Sequence, residues 1–229
     1  MSERLGPLQK EQWTQHRRGM KILIVDRHEV IHYGLKRMLQ SEFPESEFGE
    51  AFHYQQCLDL VRRKSWNVVI LGIWLPGHGG IELMKEIRAE YPNLPVIVLS
   101  ICQAQQYAVR AFKAGASGYL SMECPSDQLV SAIEEVLRGG KYANLKTTEY
   151  LIDAVAQGSQ RAPHEILSDR EYEVMRLIIT GKNTSAIARQ LSLSIKTVST
   201  YRARILGKLQ LESFFELILY AIDHGLINI

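Results

Sequence analysis

The chain has 229 residues, 46% of them hydrophobic and 23% charged, and its 27 Lys and Arg exceed its 25 Asp and Glu by a formal net charge of +2. Such a balance excludes a bulk polyelectrolyte, so any nucleic-acid surface must be local, and no apolar run approaches the ~18 residues of a membrane span; a soluble, cytoplasmic protein without membrane contact is expected. Cys57, Cys102 and Cys124 are odd in number and lack metal-ligand spacing, so neither a disulfide framework, a metal nor a cofactor is expected.

Residues 1–19 form a polar extension with no signal-peptide core. Its Arg4, Lys10, Arg17 and Arg18 outweigh Glu3 and Glu11 by the same +2 as the whole chain. It reads as a tail or an upstream start, Met20 marking the next segment; the alternative is an auxiliary arm toward DNA or a partner.

Residues 20–140 alternate short apolar runs with amphipathic stretches. KILIVD predicts a buried strand from Lys21, and further strands are expected at Glu47 to Phe52, Val68 to Leu71, Val96 to Leu99 and Gly118 to Leu120. Helices are expected at Val30 to Leu39, Gln55 to Lys64, Gly80 to Tyr91, Ala104 to Ala114 and Asp127 to Leu137. Five β/α repeats with nearly continuous hydrophobic strands predict an α/β doubly wound, five-stranded parallel sheet. Ligands in such a sheet sit beyond the carboxyl ends of the strands, here Asp26, Gly72, Ser100 and Leu120 to Met122.

Gly139 and Gly140 stop the last of these helices. Residues 141–163 then form a linker, with a helix expected over Lys146 to Gln157 carrying Tyr150, Leu151, Ala154 and Val155 on one side, and a flexible joint, GSQRAP, over Gly158 to Pro163.

Residues 164–229 predict an all-α unit of four helices. Ser168 and Glu171 make a capping box, with Val174, Leu177 and Ile178 following at helical spacing before Gly181. Asn183 or Thr184 caps a short second helix with Ile187, Ala188 and Leu191 inward, and a connection from Ser192 to Ile195 leads to a third helix capped by Ser194. Helix, tight turn, helix is the arrangement that sets a third rod against a DNA major groove. At about 100° per residue, Val198, Ile205 and Leu209 form the buried stripe, while Lys196, Ser199, Thr200, Ala203 and Gly207 lie opposite, with Arg204 and Thr197 at the edge. Lys182, Arg189, Lys196, Arg202, Arg204 and Lys208 fall in a segment with no acid. Small residues flanked by cations suit base edges and phosphates. The bland alternative is a solvated basic face on an ordinary bundle.

LSDREYEV, IARQL and SIKTVSTYRARILGKL resemble the LuxR-type helix-turn-helix that closes NarL/FixJ-family response regulators, with Tyr201 where many members have His; KTVSTYRARI and AIDHGLI are nearest to its GacA/UvrY branch. The resemblance implies sequence-specific binding of double-stranded promoter DNA as a homodimer, by Lys182, Lys196, Thr197, Ser199, Thr200, Tyr201, Arg202, Ala203, Arg204 and Lys208. The fourth helix, Ser213 to His224, is the expected pairing surface through Phe214, Leu217, Ile218 and Ala221; the alternative buries that stripe against the other helices. Leu129, Ile133 and Val136 on Asp127 to Leu137, together with the first helix, are the pairing surfaces implied for the α/β unit.

That unit, from Lys21 to about Gly140, resembles a response-regulator receiver, marked by LGIWLPGHGG, VIVLS and KAGASGYL. Receivers carry two acids after the first strand, a phosphoacceptor Asp, a Ser or Thr after the fourth strand and a Lys after the fifth. Mapped here, Asp26 and Ser100 remain, whereas Arg27, Gly72 and Met122 stand at the other positions. Gly72 offers no nucleophile, Arg27 puts positive charge where a metal would sit, and Met122 neutralises no phosphoryl group. Aspartyl phosphorylation at this position is thereby excluded, and no enzymatic activity is expected. Four readings of the remaining cleft stay open: Asp26 and Arg27 as surface residues with Met122 over a vestige; Arg27 as a built-in charge on Asp26, Ser100 or Glu123; a small ligand; or oxidation of Cys102 and Cys124. Trp74 and His78 face either a partner or the core. The leading functional expectation is a phosphorylation-independent transcription regulator whose receiver serves dimerisation or partner binding. The alternatives are a protein that titrates or heterodimerises with another regulator, and a receiver controlled by a small ligand.

Overall fold

The computed structural model describes residues 19–75, 79–100, 105–156 and 163–227. The expectations for most of the N-terminal extension, for His78 and Cys102, and for most of the GSQRAP joint lie outside these residues.

The α/β unit is built from β1 (Lys21–Val25), α1 (Glu29–Glu42), β2 (Glu47–Ala51), α2 (Tyr54–Arg63), β3 (Val68–Gly72), α3 (Gly80–Glu90), β4 (Val96–Ser100), α4 (Gln105–Lys113), β5 (Gly118–Ser121), α5 (Ser126–Leu137) and β6 (Tyr142–Ala143). All strands pair in parallel, in the order β2-β1-β3-β4-β5-β6. The two-residue β6 adds a sixth strand to the five expected, too short to carry a period of its own.

The unbroken apolar strands follow from burial on both faces. Leu23, Val25, Val69, Leu71, Val96 and Val98 face the layer of α2, α3 and α4. Ile22, Ile24, Val68, Ile70, Ile97 and Leu99 face α1 and α5. Each such side chain contributes roughly 1.5–3 kcal/mol when taken from water.

One correction concerns assembly. Leu129, Ile133 and Val136 of α5, expected at a pairing surface, are instead buried in the second of these cores. A single apolar stripe satisfies the sheet as readily as it would a second chain, and the sheet is covalently near.

After α6 (Leu145–Ala156) and a 3-10 turn (Pro163–Ile166) come α7 (Asp169–Ile179), α8 (Thr184–Leu191), α9 (Ile195–Leu209) and α10 (Phe214–Asp223). The core of this helical unit runs without a break into the α2–α3–α4 side of the sheet. Tyr172 of α7 is the hinge of that continuity, its ring 5.0 Å from Tyr107 of α4, which in turn lies 5.7 Å from Trp74. Trp74 therefore packs against the core, one of the two roles open to it.

Polar contacts seal the same seam. Arg110 donates to the carbonyls of Leu167 (3.0 Å) and His164 (3.1 Å) and to Asp169 (2.9 Å), and its guanidinium lies 4.3 Å from the centre of the Tyr172 ring. Lys85 of α3 reaches the other Asp169 oxygen at 2.6 Å.

Candidate nucleic-acid interface

Four side-chain caps define the helical unit. Ser168, Asn183, Ser194 and Ser213 accept from the backbone amides of Glu171, Ala186, Thr197 and Glu216 at the starts of α7, α8, α9 and α10, each contributing about 1 kcal/mol. At Ser168 the box is complete, because Glu171 Oε2 accepts from the Ser168 amide at 2.8 Å. The turn between α8 and α9 is three residues, Ser192 to Ser194, one shorter than the expected connection because Ile195 already has helical geometry. Ser192 turns the chain in the left-handed region, φ 53°.

Val198, Ile205 and Leu209 are buried, together with Ile187, Ala188 and Leu191 of α8. Lys196, Ser199, Thr200, Ala203, Arg204, Gly207 and Lys208 are all exposed on the far side of α9. Thr200 donates its hydroxyl to the Lys196 carbonyl at 3.0 Å, which leaves its oxygen lone pairs and its methyl group facing outward.

The other sequence-derived candidates already have partners within the unit. Thr197 shares a 2.7 Å hydrogen bond with the cap hydroxyl of Ser194. Arg202 donates to the Thr184 hydroxyl and stacks 3.8 Å from the centre of the Phe214 ring, joining α9 to α8 and α10. Tyr201 is half-buried against the core. Lys182 donates to Gln190 at 2.6 Å.

Lys208 pairs with Glu171 at 2.6 Å. Burial works to raise the Glu171 carboxyl, but Lys208 and the Ser168 amide and hydroxyl bring it below the usual carboxylate range. The capping box thus also fixes the C-terminal turn of α9. No ion pair is found for Lys196 or Arg204 among the described residues, so these two carry the free charge of the face.

Sequence reasoning missed Ile195, 57% exposed at the first turn of α9. On α10 most of the expected pairing stripe is covered, as in the alternative reading. Leu217 and Ala221 are buried in their own unit and Phe214 is half-buried under Arg202. The outward apolar side chains are Phe215, Ile218, Leu219 and Ile222, of which only Ile218 was expected. FFELILYAI is apolar on nearly every side, so periodicity could not tell the covered face from the open one.

At the strand ends the described residues contact one another. Asp26 is buried rather than a surface residue. Its Oδ1 accepts from the His28 amide at 2.9 Å and lies 2.8 Å from His28 Nδ1, while Arg27 Nε donates to His28 Nε2 at 3.0 Å. That donation leaves the ring proton on Nδ1, directed at Asp26. His28 thus links Arg27 to Asp26 by hydrogen bonds. A Cβ on Gly72 would meet Asp26 Oδ2 at 2.2 Å. Ser100 is buried, and Met122 packs on the α1–α5 core, beside a hollow of 190 Å³ shared with Val30, Leu35 and Cys124. Burial pushes the Cys124 thiol up, away from a reactive thiolate. No group of three metal-ligating side chains occurs among the described residues, and no helix there is long and apolar enough to cross a membrane.

A doubly wound sheet docked on a capped helix-turn-helix with an outward, acid-free third helix defines a two-domain DNA-binding regulator. Residues 22–134 match the response regulator receiver domain, and residues 165–221 the luxR family of bacterial regulatory proteins. The chain belongs to the response regulators with a LuxR-type DNA-binding domain. It is 32% identical over 210 residues to the response regulator GacA of Pseudomonas aeruginosa, covering 91% of this chain and 98% of that protein. It is 31% identical over 210 residues to the response regulator UvrY of Escherichia coli strain K12, covering 91% and 96%. Among solved structures it is similar to RcsB from Salmonella enterica serovar Typhimurium bound to promoter P1flhDC in the presence of phosphomimetic BeF3-, with TM-score 0.62, 25% identity and coverage of 88% and 98%. RcsB of Salmonella typhimurium in another structure shares the fold at TM-score 0.66 and 22% identity, with coverage of 90% and 98%.

Proposed function

We propose that this response regulator binds promoter DNA as a dimer, reading base edges with Ser199, Thr200 and Ala203 of α9 while Lys196 and Arg204 take phosphates, and that it does so without aspartyl phosphorylation. The observation that carries the DNA reading is the exposed, acid-free face of α9, held in place by the caps at Ser194 and Ser168. Lys208, already neutralised by Glu171, contributes less than Lys196 or Arg204. The solved likeness to RcsB on a promoter supports the same use of the helix. Pairing runs through Phe215, Ile218, Leu219 and Ile222, the apolar stripe that α10 leaves open.

Phosphorylation independence is supported by Gly72 at the end of β3, which has no carboxylate, and by Asp26, which fills the space such a side chain would occupy. Two measurements test the proposal together. Genome-wide binding maps and gel shifts should show site-specific promoter binding by untreated protein, and acetyl phosphate with Mg²⁺ should leave the intact mass unchanged. A stoichiometric, hydroxylamine-labile phosphoryl adduct overturns the second part; binding that does not discriminate between sequences overturns the first.

One observation favours a second reading, heterodimerisation with another regulator through the receiver. Val30 and Tyr33 stand 73% and 74% exposed on α1, beside the apolar hollow toward α5. Sedimentation of the chain alone at micromolar concentration separates the two: a monomer without DNA dimers points to a different partner chain.

A further inference from the structure

The seam between the receiver and the DNA-binding unit encloses a cavity of 310 Å³ that opens to solvent. Its walls come from both sides, since α3 and α4 of the receiver, Tyr150 of α6 and the start of α7 all line it. Three cations face it, Lys85, Arg110 and Lys113, against two carboxylates, Glu165 and Asp169.

These charges are not equally committed. Asp169 is shared by Arg110 and Lys85, at 2.9 and 2.6 Å. Lys113, at the mouth and 65% exposed, lies 4.0 Å from Glu165, beyond hydrogen-bond reach. The lining therefore keeps one net positive charge: Lys85 and Arg110 share the single carboxylate of Asp169, while Lys113, the most exposed of the three cations, has only its long ion pair with Glu165. The rest of the wall is rings and aliphatic carbon: Tyr150, Tyr172, His164, Val109 and Ala114. His164 adds a ring and no charge, because burial, together with His224 and Arg110, pushes it down to about 4.

A net positive charge beside aromatic walls selects an anion carrying a flat apolar body. The volume lies at the lower end of the roughly 300–1,000 Å³ of ligand cavities, which limits the body to one ring with a short acidic arm. Both walls exist only while the domains are docked, so such a ligand stabilises the docked form by mass action.

We propose that the seam cavity binds a small aromatic acid, its anionic group on Lys113 and its ring beside Tyr150, and that occupancy holds the receiver on the DNA-binding unit. This supplies an input to a receiver that takes none through Gly72, and in that role it rests on phosphorylation independence; the binding itself does not.

The test is calorimetric titration of the full chain with phenyl phosphate, with phenol and inorganic phosphate as controls, on the native chain and on Lys113→Glu and Lys113→Gln. The expected result is one saturable site for phenyl phosphate, a melting temperature raised by the ligand, and at least tenfold weaker binding in Lys113→Glu and for either control compound. Lys113→Gln should fall between. Exposure of Lys113 keeps both variants folded, which their melting without ligand verifies. No saturable heat, phenol bound as tightly as phenyl phosphate, or unchanged affinity in Lys113→Glu overturns the proposal. A gel shift without ligand distinguishes the failures: promoter binding persists if only the cavity assignment is wrong, and is absent if the regulator reading itself is wrong.

Discussion

Asp26 and Gly72 compete for one volume: the carboxylate just after β1 is placed so that its Oδ2 lies 2.2 Å from where a side chain on Gly72 would begin. The carboxylate cannot give way freely, because His28 holds it through both backbone and ring, and His32 Nε2 holds the Asp26 carbonyl at 2.7 Å. The glycine at position 72 is thus what lets Asp26 lie inward.

Restoring a carboxylate should for that reason be costly before it is useful. Gly72→Asp is expected to lower unfolding stability by roughly 1–3 kcal/mol, the usual range for overpacking a filled site. Asp26→Ala should return most of that loss in the double variant, and denaturant melts of the four proteins measure the coupling. Additive losses would show that the two positions do not share space. Gly72→Asp alone should also remain a poor phosphoacceptor, with Arg27 and Met122 still beside it.

The proposed reading gives neighbouring residues on the outward face of α9 different tasks. Arg204→Ala should weaken specific and random DNA alike and flatten the dependence on salt by about one unit for each phosphate no longer neutralised. Thr200→Ala should leave the salt slope nearly unchanged and reduce discrimination between sites by roughly 1–3 kcal/mol. The hydroxyl proton of Thr200 already goes to Lys196, so contact through its methyl or lone pairs should be retained better by Val or Ser than by Ala. An exchange of the two phenotypes would mean that α9 lies in the groove by a different face.

On α10 the stripe proposed for pairing is distinct from the buried one. Leu219→Asp, on the open stripe, should weaken self-association at least tenfold in sedimentation while moving stability by no more than about 0.5 kcal/mol. Leu217→Ala, two residues earlier and fully buried, should instead cost about 2–5 kcal/mol. Self-association untouched by Leu219→Asp would place the dimer contact elsewhere.

Glu173 should make stability at the interdomain seam depend on pH. It is buried beside Gly79 at the start of α3, its Oε2 paired with Arg170, and burial pushes its carboxyl up to about 7, with Arg170 opposing and Glu82 and Asp169 adding to the rise. A carboxyl raised in the folded state holds more protons there than when unfolded, so stability falls as pH rises between its unfolded value and about 7. Glu173→Gln should therefore gain melting temperature relative to the native chain as pH goes from 5 to 8. A difference that stays constant across that range would show that Glu173 is ionised throughout.

Local signals were readable in advance because their physics is local. Ser168, Ser194 and the apolar strands each act on residues within a turn or along a single extended run, and the corresponding caps and strands are where the residue types require them. The absence of a nucleophile at Gly72 is likewise a matter of one residue's chemistry. What tertiary structure alone decided was which of several equivalent apolar faces is covered and which distant charges meet. Leu129 and Leu217 turned inward, Phe215 and Leu219 stayed open, and Arg110 found Asp169 across the seam. Helical periodicity says that a side is apolar but not what lies against it, and an ion pair between two domains has no signature in either segment until packing brings the two together.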